Sequence, residues 1–328
     1  MAEKRPVKTI GLLTSGGDAP GMNPCIRAIV RSGDAHGLTV LGIEDGFEGL
    51  IHGRFKPLGP RDVGGILQRG GTILQTARCD EFFTPKGQLD AIRAINEAEM
   101  DGLVVIGGDG SLRGAQTLVE HGGLGVVGVP ASIDNDIYGT DMCIGVDTAL
   151  NTIVDAIDKL RDTASSHNRA FFVETMGRMS GYLAMQAAIV TGAELVLVPE
   201  VETNVEVVVQ TIEAAYERGK SHCIVVVAEG AKPSTSELVE MIESRDLGFS
   251  TRVTILGHIQ RGGKPTAFDR LLASRFGAKA VNFLVEGKSG VMTGLNGRDI
   301  EAVPFSLVFS QRKSLPMDQY EIAQMLAR

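Results

Sequence analysis

Short apolar runs alternate with amphipathic segments along most of the 328 residues. Runs that are apolar without a break are typical of strands buried on both faces, as in a parallel sheet covered by helices. Helical spacing is clearest from Val146 to Leu160, where apolar residues recur at i, i+3, i+4 and i+7. Strands are predicted at residues 9–13, 103–106, 126–129, 170–173, 195–198, 223–228 and 253–256. Strands that alternate with helices predict an α/β fold with parallel sheets.

The length of the chain exceeds what one core comfortably holds, so two domains are expected. No strong repeat, low-complexity tract or Pro/Ser-rich linker interrupts the pattern. The two domains should therefore be closely joined, with a candidate boundary near residues 139–145.

Polar segments follow three of the predicted strands, and ligands of open α/β sheets bind at the carboxyl ends of strands. The first segment runs from Thr14 to Asn23 and places glycines before a helical stretch at 24–31, where it could bind phosphate or form a mere tight turn. The second is Gly107 to Ser111, and the third is Ser132 to Asp136. A hydroxyl, three acids and a glycine-rich loop suit phosphoryl transfer from a metal-bound phosphate donor.

The acids of the third segment, Asp134 and Asp136, are only two residues apart. Two like charges at that spacing are costly unless a cation or hydrogen bonds compensate. One carboxylate could therefore take a proton while the other helps to hold a metal ion.

Four arginines border predicted strands, and a guanidinium group matches the oxygens of a phosphate. Any one of them is more often a surface salt-bridge partner, but together they favour a phosphorylated substrate. Glu229, which follows another strand, could accept hydrogen bonds from sugar hydroxyls or cap a helix. The four arginines are Arg169, Arg178, Arg252 and Arg261.

A net charge of −8 argues against nucleic acid as the main partner. The cysteines show neither disulfide nor metal spacing, which is typical of free thiols in a reducing compartment. The sequence shows no signal segment and no run of membrane-spanning length, so a cytoplasmic protein without a membrane partner is expected. The cysteines are Cys25, Cys79, Cys143 and Cys223.

Taken together and in this order, the motifs resemble those of the bacterial-type 6-phosphofructokinase family, from Ile10 to about Ala280. The resemblance implies two similar three-layer α/β/α domains with mostly parallel sheets. It implies ATP and Mg²⁺ binding by residues 1–144 plus about 261–308, and fructose 6-phosphate binding by 145–260 plus about 309–328. The most specific segments are Thr14–Asn23, Gly107–Ser111, Ile133–Asp136, Met176–Arg178 and Gly257–Gly263.

The implied reaction is the glycolytic phosphorylation of fructose 6-phosphate by ATP to fructose 1,6-bisphosphate. Asp134 matches the general base that takes the proton of the 1-hydroxyl, and Ser132 and Arg178 complete the catalytic set. Asp109 matches the carboxylate that holds Mg²⁺, with Asp136 beside the same ion. The positions that match ATP contacts are Gly17, Arg78, Cys79, Gly108, Asp109, Gly110 and Ser111.

The resemblance also implies a fructose 6-phosphate site, in which Arg169 and Arg252 match residues that come from a neighbouring subunit. A homotetramer with active sites shared between subunits follows from that match. The positions that match the sugar phosphate site are Ser132, Ile133, Asp134, Arg169, Met176, Gly177, Arg178, Glu229, Arg252, His258, Ile259, Gln260 and Arg261.

Bacterial members of the family bind an effector, ADP as activator or phosphoenolpyruvate as inhibitor. Pro60 stands where an effector-contacting arginine is common, and Arg61 could substitute for it. A solvated basic surface is the alternative interpretation. The matching positions are Arg27, Arg31, Arg61, Arg161, Gly192, Glu194, Arg218 and Lys220.

Two small residues favour ATP as the phosphate donor, because the pyrophosphate-using branch has Asp in place of Gly110 and Lys in place of Ala131. Ala131 departs from the usual glycine and is expected to crowd the nucleotide slightly. Ser132 replaces the usual threonine, so turnover is expected to be reduced. The alternatives are the pyrophosphate-dependent enzyme, an NAD or lipid kinase sharing only residues 107–111, and a non-catalytic sugar-phosphate sensor.

Overall fold

The computed structural model describes residues 7–166, 169–245 and 250–327. The chain forms two compact units: a larger one of residues 1–132, 136–148 and 261–313, and a smaller one of residues 133–135, 149–260 and 314–328. The prediction placed 133–135 and 309–313 in the opposite units and began the second domain at 145. Which ligand each unit binds stays a prediction.

Strands and helices alternate along the described residues. The strands are β1 Thr9–Ser15, β2 Thr39–Ile43, β3 Phe55–Pro57, β4 Gly102–Gly107, β5 Gly125–Pro130, β6 Arg169–Thr175, β7 Leu195–Leu197, β8 His222–Ala228, β9 Ser250–Ile255, β10 Val291–Asn296 and β11 Asp299–Pro304. The α-helices are α1 Met22–Ala35, α2 Gly46–Ile51, α3 Pro85–Glu97, α4 Asp109–Gly122, α5 Val146–Ser165, α6 Tyr182–Thr191, α7 Val205–Glu217, α8 Thr235–Glu243, α9 Ala267–Val285, α10 Phe305–Val308 and α11 Met317–Leu326. Short 3₁₀ helices occupy Glu81–Phe83 and Gly257–Arg261.

Each unit contains one sheet. The larger sheet has the order β11-β10-β5-β4-β1-β2-β3, and only its outermost strands, β11 and β3, pair antiparallel. The smaller sheet has the order β7-β8-β6-β9 and is parallel throughout. The predicted α/β class with mostly parallel sheets is therefore confirmed.

The sheets are built from the unbroken apolar runs seen in the sequence. Every residue of β4 is buried, as are the last six of β1, because strands inside a parallel sheet are covered on both faces. The helix α1 buries Met22, Ile26, Ile29 and Gly33 along one side, at the spacing of helical turns, and packs against α9.

The N-terminus of α5 is held by a buried carboxylate from α9. Asp269 accepts hydrogen bonds from the backbone N–H groups of Gly145 and Thr148, each 2.8 Å, and from the hydroxyl of Thr148, 2.6 Å. These bonds satisfy donors that a helix start leaves open. Burial nevertheless dominates and raises the pKa of Asp269 to about 6, although the hydrogen bonds favour the charged form.

All the predicted strands are present, with bounds that differ by a few residues. The prediction missed β2, β3, β10 and β11, which are short or interrupted by polar residues. Asn296, the last residue of β10, and Gly297, which follows it, are a hairpin signal that would have located that pair.

Candidate functional site

Three polar segments begin at the same edge of the sheet in the larger unit. Ser15, Gly107 and Pro130 occupy matching positions at the carboxyl ends of β1, β4 and β5, which are neighbours. The three segments predicted to take part in phosphoryl transfer therefore begin side by side. A Cβ atom on Gly107 would lie 2.5 Å from the backbone oxygen of Ser15, so the close approach of the two strands here requires glycine.

The loop after β1 is packed against an arginine from the segment after β9. Arg261 donates a hydrogen bond from Nη1 to the backbone oxygen of Asp18, 3.2 Å. A Cβ atom on Gly17 would clash with that guanidinium group. Arg261, predicted to face the sugar phosphate, thus lies against a loop that was predicted to bind ATP.

Asp109 is the first residue of α4, where the helix dipole favours a negative charge. Arg113, one turn later, donates from Nε to Asp109 Oδ2 at 2.8 Å, and its guanidinium lies 4.6 Å from the ring centre of Phe309. Arg113 was not among the residues predicted from the sequence. Its spacing of four residues from Asp109 on a helix was the available signal.

Asp136 is the second carboxylate predicted to be near a metal ion. It accepts a hydrogen bond from the hydroxyl of Ser132, 3.3 Å, so the serine that replaces the usual threonine orients this acid. Lys313 lies in the same unit and donates to the backbone oxygen of Asp141, 2.7 Å. Burial lowers the pKa of Lys313, while the carboxylates of Asp141 and Asp136 act against that change.

The carboxylates of Asp109 and Asp136 suit Mg²⁺, which is usually held by one or two carboxylates together with phosphates and water. A closed protein cage is not needed for such a site. Among residues 7–166, 169–245 and 250–327, no group of three His, Cys, Asp or Glu side chains could hold a metal ion.

Asp134 belongs to the smaller unit and is only 5% exposed. Arg178 of the same unit places Nε 3.6 Å from Asp134 Oδ2, while its own side chain stays largely exposed. The two groups are close enough to form an ion pair. The structure thus joins the predicted base to the predicted phosphate-stabilising arginine.

The turn after β6 holds Arg178 in an uncommon conformation, with φ at 52°. Glu229 Oε1 accepts hydrogen bonds from the backbone N–H groups of Gly177, 3.2 Å, and Arg178, 2.7 Å. Neither role considered for Glu229 from the sequence accounts for these two bonds.

Segment 257–261 contributes residues of very different exposure. His258 and Ile259 are exposed, whereas Gln260 is fully buried at 0%. Gln260 accepts a hydrogen bond from the backbone N–H of Met176, 3.3 Å, and donates one to the backbone oxygen of Gly257, 2.9 Å. It therefore offers no surface to a ligand in this structure.

Arg169 and Arg252 lie far from Arg178 within the chain. Arg169 begins β6, and the turn with Arg178 follows the end of that strand, six residues later at Thr175. At about 3.3 Å per residue the separation is about 20 Å, more than an arginine side chain spans. Arg252 pairs with Phe171 near the same starting end of the sheet.

The remaining nucleotide positions are less constrained. Arg78 is exposed and Cys79 is half-buried, and burial raises the pKa of the Cys79 thiol. Ala131 is 1% exposed, so its methyl group lies inside the protein, in contrast to the crowding of the nucleotide expected from the sequence. A Cβ atom on Gly110 would meet no atom within 4 Å.

The predicted effector residues fall into both units. In the smaller unit, buried Glu194 accepts hydrogen bonds from Lys220 Nζ, 2.9 Å, and the backbone N–H of Ile224, 2.7 Å. Arg161 donates to the backbone oxygen of Thr191, which precedes Gly192. Arg218 donates to its own helix α7. In the larger unit, Arg27 and Arg31 are one turn apart on α1, and Arg31 and Arg61 are exposed.

No helix within the described part of the chain is both long enough and apolar enough to cross a membrane.

Comparison with known proteins identifies relatives over nearly the whole chain. The sequence matches the phosphofructokinase family over residues 9–284. It is 51% identical over 321 residues to the ATP-dependent 6-phosphofructokinase of Shouchella clausii and 52% identical over 321 residues to that of Thermotoga petrophila. Each alignment covers 98% of this chain and 100% of the relative.

Solved structures agree with this match. The phosphofructokinase of Pichia pastoris superposes with a TM-score of 0.88 at 37% identity, over 99% of this chain and 38% of that longer chain. A pyrophosphate-dependent phosphofructokinase from Marinobacter aquaeolei gives a TM-score of 0.82 at 20% identity, over 98% of this chain and 92% of that one. That second likeness bears on the fold alone. The resemblance found in the motifs is confirmed, and the chain belongs to the phosphofructokinase family.

Proposed function

We propose that this protein is an ATP-dependent 6-phosphofructokinase, which transfers the γ-phosphoryl group of ATP to the 1-hydroxyl of fructose 6-phosphate. The observation that carries the proposal is the pair formed by buried Asp134 and Arg178 at 3.6 Å. It combines a proton acceptor with a cation suited to a transferring phosphoryl group. The identity of about half of all residues to ATP-dependent enzymes supports the same reaction.

Asp134 takes the proton of the 1-hydroxyl as that oxygen attacks the phosphorus atom. The neighbouring guanidinium of Arg178 balances charge that builds on the phosphoryl oxygens. Phosphoryl transfer depends on positioning and electrostatics more than on covalent chemistry. The hydrogen bonds that Glu229 makes to the turn of Arg178 support this role, because they fix the backbone that carries the guanidinium.

The loops that follow β1 and β4 bind the nucleotide. Their glycines allow close approach of backbone N–H groups to phosphates, and the start of α4 adds a favourable dipole. Asp109 and Asp136 would hold Mg²⁺, which when bound neutralises charge on the phosphates. Ser132 orients Asp136 through its hydroxyl.

The reaction is tested by measuring formation of fructose 1,6-bisphosphate with Mg²⁺ and either ATP or pyrophosphate as donor. Turnover with ATP alone supports the proposal, and turnover with pyrophosphate alone favours the alternative enzyme. The variant Asp134→Ala separates a kinase from a sugar-phosphate sensor. The kinase loses turnover by about 10²–10⁴-fold and still binds fructose 6-phosphate, whereas a sensor keeps its output.

We further propose a homotetramer in which Arg169 and Arg252 bind the sugar phosphate in the site of a neighbouring subunit. The separation of about 20 Å between Arg169 and the turn of Arg178 supports this, since one chain cannot bring both to the same phosphate. Mixed tetramers of Asp134→Ala and Arg252→Ala chains test it. A shared site regains activity on mixing, because some sites then combine an intact Asp134 with an intact Arg252. A site formed within one chain does not.

The basic residues around Glu194 form the proposed effector site for ADP and phosphoenolpyruvate. In the smaller unit, Lys220, Arg161 and Arg218 supply positive charge near the end of α6 and the start of β7. Lys220→Met is expected to raise the ADP concentration needed for half-maximal activation by tenfold or more. An unchanged ADP response would contradict this assignment.

A further inference from the structure

Three consecutive backbone N–H groups after β6 all donate to side chains from other segments. The N–H of Met176 donates to Gln260 Oε1, 3.3 Å, and those of Gly177 and Arg178 donate to Glu229 Oε1, 3.2 and 2.7 Å. A turn whose successive donors are all bound by side chains is held at each residue. The conformation of the turn is therefore set by two residues distant in sequence.

The two acceptors approach the turn from opposite sides. The strand β6 lies between β8 and β9 in the smaller sheet. Glu229 directly follows β8, and Gln260 lies in the 3₁₀ helix that comes after β9. Glycine at position 230 is needed for this packing, because a Cβ atom there would clash with the backbone oxygen of Arg178.

Gln260 uses both ends of its amide inside the protein. Its oxygen accepts from Met176, and its nitrogen donates to the backbone oxygen of Gly257, 2.9 Å. It is 0% exposed, although His258 and Ile259 beside it are exposed. The side chain thus links the turn of residues 176–178 to segment 257–261 without facing a ligand.

This arrangement bears on the position of Arg178. Its φ of 52° lies in the left-handed region, which a long side chain seldom adopts unless its surroundings hold it there. From this backbone, its Nε reaches to 3.6 Å from Asp134 Oδ2. A shift of the turn would move the guanidinium relative to the carboxylate, and small shifts at a reacting centre cost large factors in rate.

We infer that Gln260 is a positioning residue, which acts through the turn of Met176–Arg178 to align Arg178 with Asp134. Glu229 is its partner on the other side of the turn. The inference rests on the proposed roles of Arg178 and Asp134 in phosphoryl transfer.

A double-mutant cycle tests the inference. Gln260→Met keeps the length of the side chain and removes both hydrogen bonds, so kcat should fall tenfold or more while KM for ATP stays within twofold. If Gln260 acts through Arg178, the same substitution in an Arg178→Ala background should change kcat by less than twofold. An equal fall in both backgrounds would refute the positioning role. Gln186→Met, a glutamine of α6 that bonds to Gln319, is the matched control and should change neither quantity.

A second variant keeps the inference testable if Gln260→Met does not fold. In Gln260→Glu, the neutral carboxyl group can accept from Met176 and donate to Gly257, as the amide does, whereas the ionised form cannot donate. Burial raises the pKa of such a carboxyl group. The ratio of its kcat to that of the unmodified enzyme should therefore rise as the pH falls. A ratio independent of pH between 6 and 8.5 would count against the inference.

The two levels of the proposal fail separately. If Arg178→Ala alone retains full turnover, then the proposed role of Arg178 in transfer is wrong. If that variant is impaired but Gln260→Met is fully additive with it, only the positioning role is wrong. Thermal unfolding of each variant shows whether loss of folding contributes to the loss of activity.

Discussion

A substitution at Gly110 tests the choice of phosphate donor. Its expected effects on the stability of the fold and on nucleotide binding have opposite signs. Gly110 is the second residue of α4, and a Cβ atom there would meet nothing within 4 Å. Replacement of a helical glycine by alanine stabilises by about 0.5–1 kcal/mol. An acid in the first turn gains about 0.3–1 kcal/mol from the helix dipole. Gly110→Asp should therefore fold at least as stably as the unmodified protein.

Nucleotide binding should respond in the opposite direction. In the proposed ATP site, a carboxylate at position 110 would face the phosphates at the start of α4. Two unit charges about 6 Å apart repel by about 1.4–2.8 kcal/mol at an effective dielectric constant of about 20–40. KM for ATP should therefore rise roughly 10- to 100-fold.

The assay compares KM for ATP and unfolding midpoints for Gly110→Ala, Gly110→Asn and Gly110→Asp. Alanine adds only a methyl group, and asparagine matches aspartate in volume without its charge. We expect both neutral variants to stay within a few fold of the unmodified enzyme. The electrostatic reasoning is refuted if a folded Gly110→Asp variant keeps its KM for ATP. If asparagine raises KM for ATP as much as aspartate does, then the volume of the side chain, and not its charge, is the cause.

Further predictions concern stability and metal binding. The pKa of Asp269 is raised to about 6 from 3.8. The protonated carboxyl group therefore contributes up to about 3 kcal/mol to the free energy of unfolding. This contribution is complete below about pH 3.8 and is lost as the pH rises through about 6. Asp269→Asn should remove this part of the pH dependence of denaturant unfolding, and an unchanged dependence would contradict the assignment. Arg113 forms an ion pair with Asp109 that contributes about 0.3–0.5 kcal/mol. A metal cation that binds Asp109 must compete with this ion pair. Arg113→Gln should therefore raise the apparent Mg²⁺ affinity in nucleotide-binding titrations about twofold, whereas a fall would show that Arg113 helps to bind the phosphates.

The strands and the polar segments after them could be predicted because both are local patterns. A buried strand in a parallel sheet is a continuous apolar run, and the functional segment is the polar stretch that follows it. The register of Ser15, Gly107 and Pro130 then brings three such segments to one edge. Strands β10 and β11 were not predicted because their apolar runs are short and contain polar residues.

Contacts between residues distant in sequence could not be predicted. Asp269 lies 124 residues from Gly145, and Gln260 lies 84 residues from Met176. No local pattern within His258–Arg261 indicates that Gln260 is buried rather than exposed. The family resemblance grouped those residues as one binding segment. Only the fold shows that Gln260 is buried while His258 and Ile259 beside it are exposed.

The direction of a strand shows at which end of the sheet an arginine lies. The observation that four arginines border strands does not show this. Arg178 follows the carboxyl end of β6, where parallel sheets place their ligands. Arg169 starts the same strand, and Arg252 lies beside it on β9, near the opposite end of the sheet. If all of them bind one sugar phosphate, those two must come from another copy of the chain. The proposed sharing of sites between subunits is therefore supported by strand geometry as well as by family resemblance, and recovery of activity in mixed tetramers tests that geometry directly.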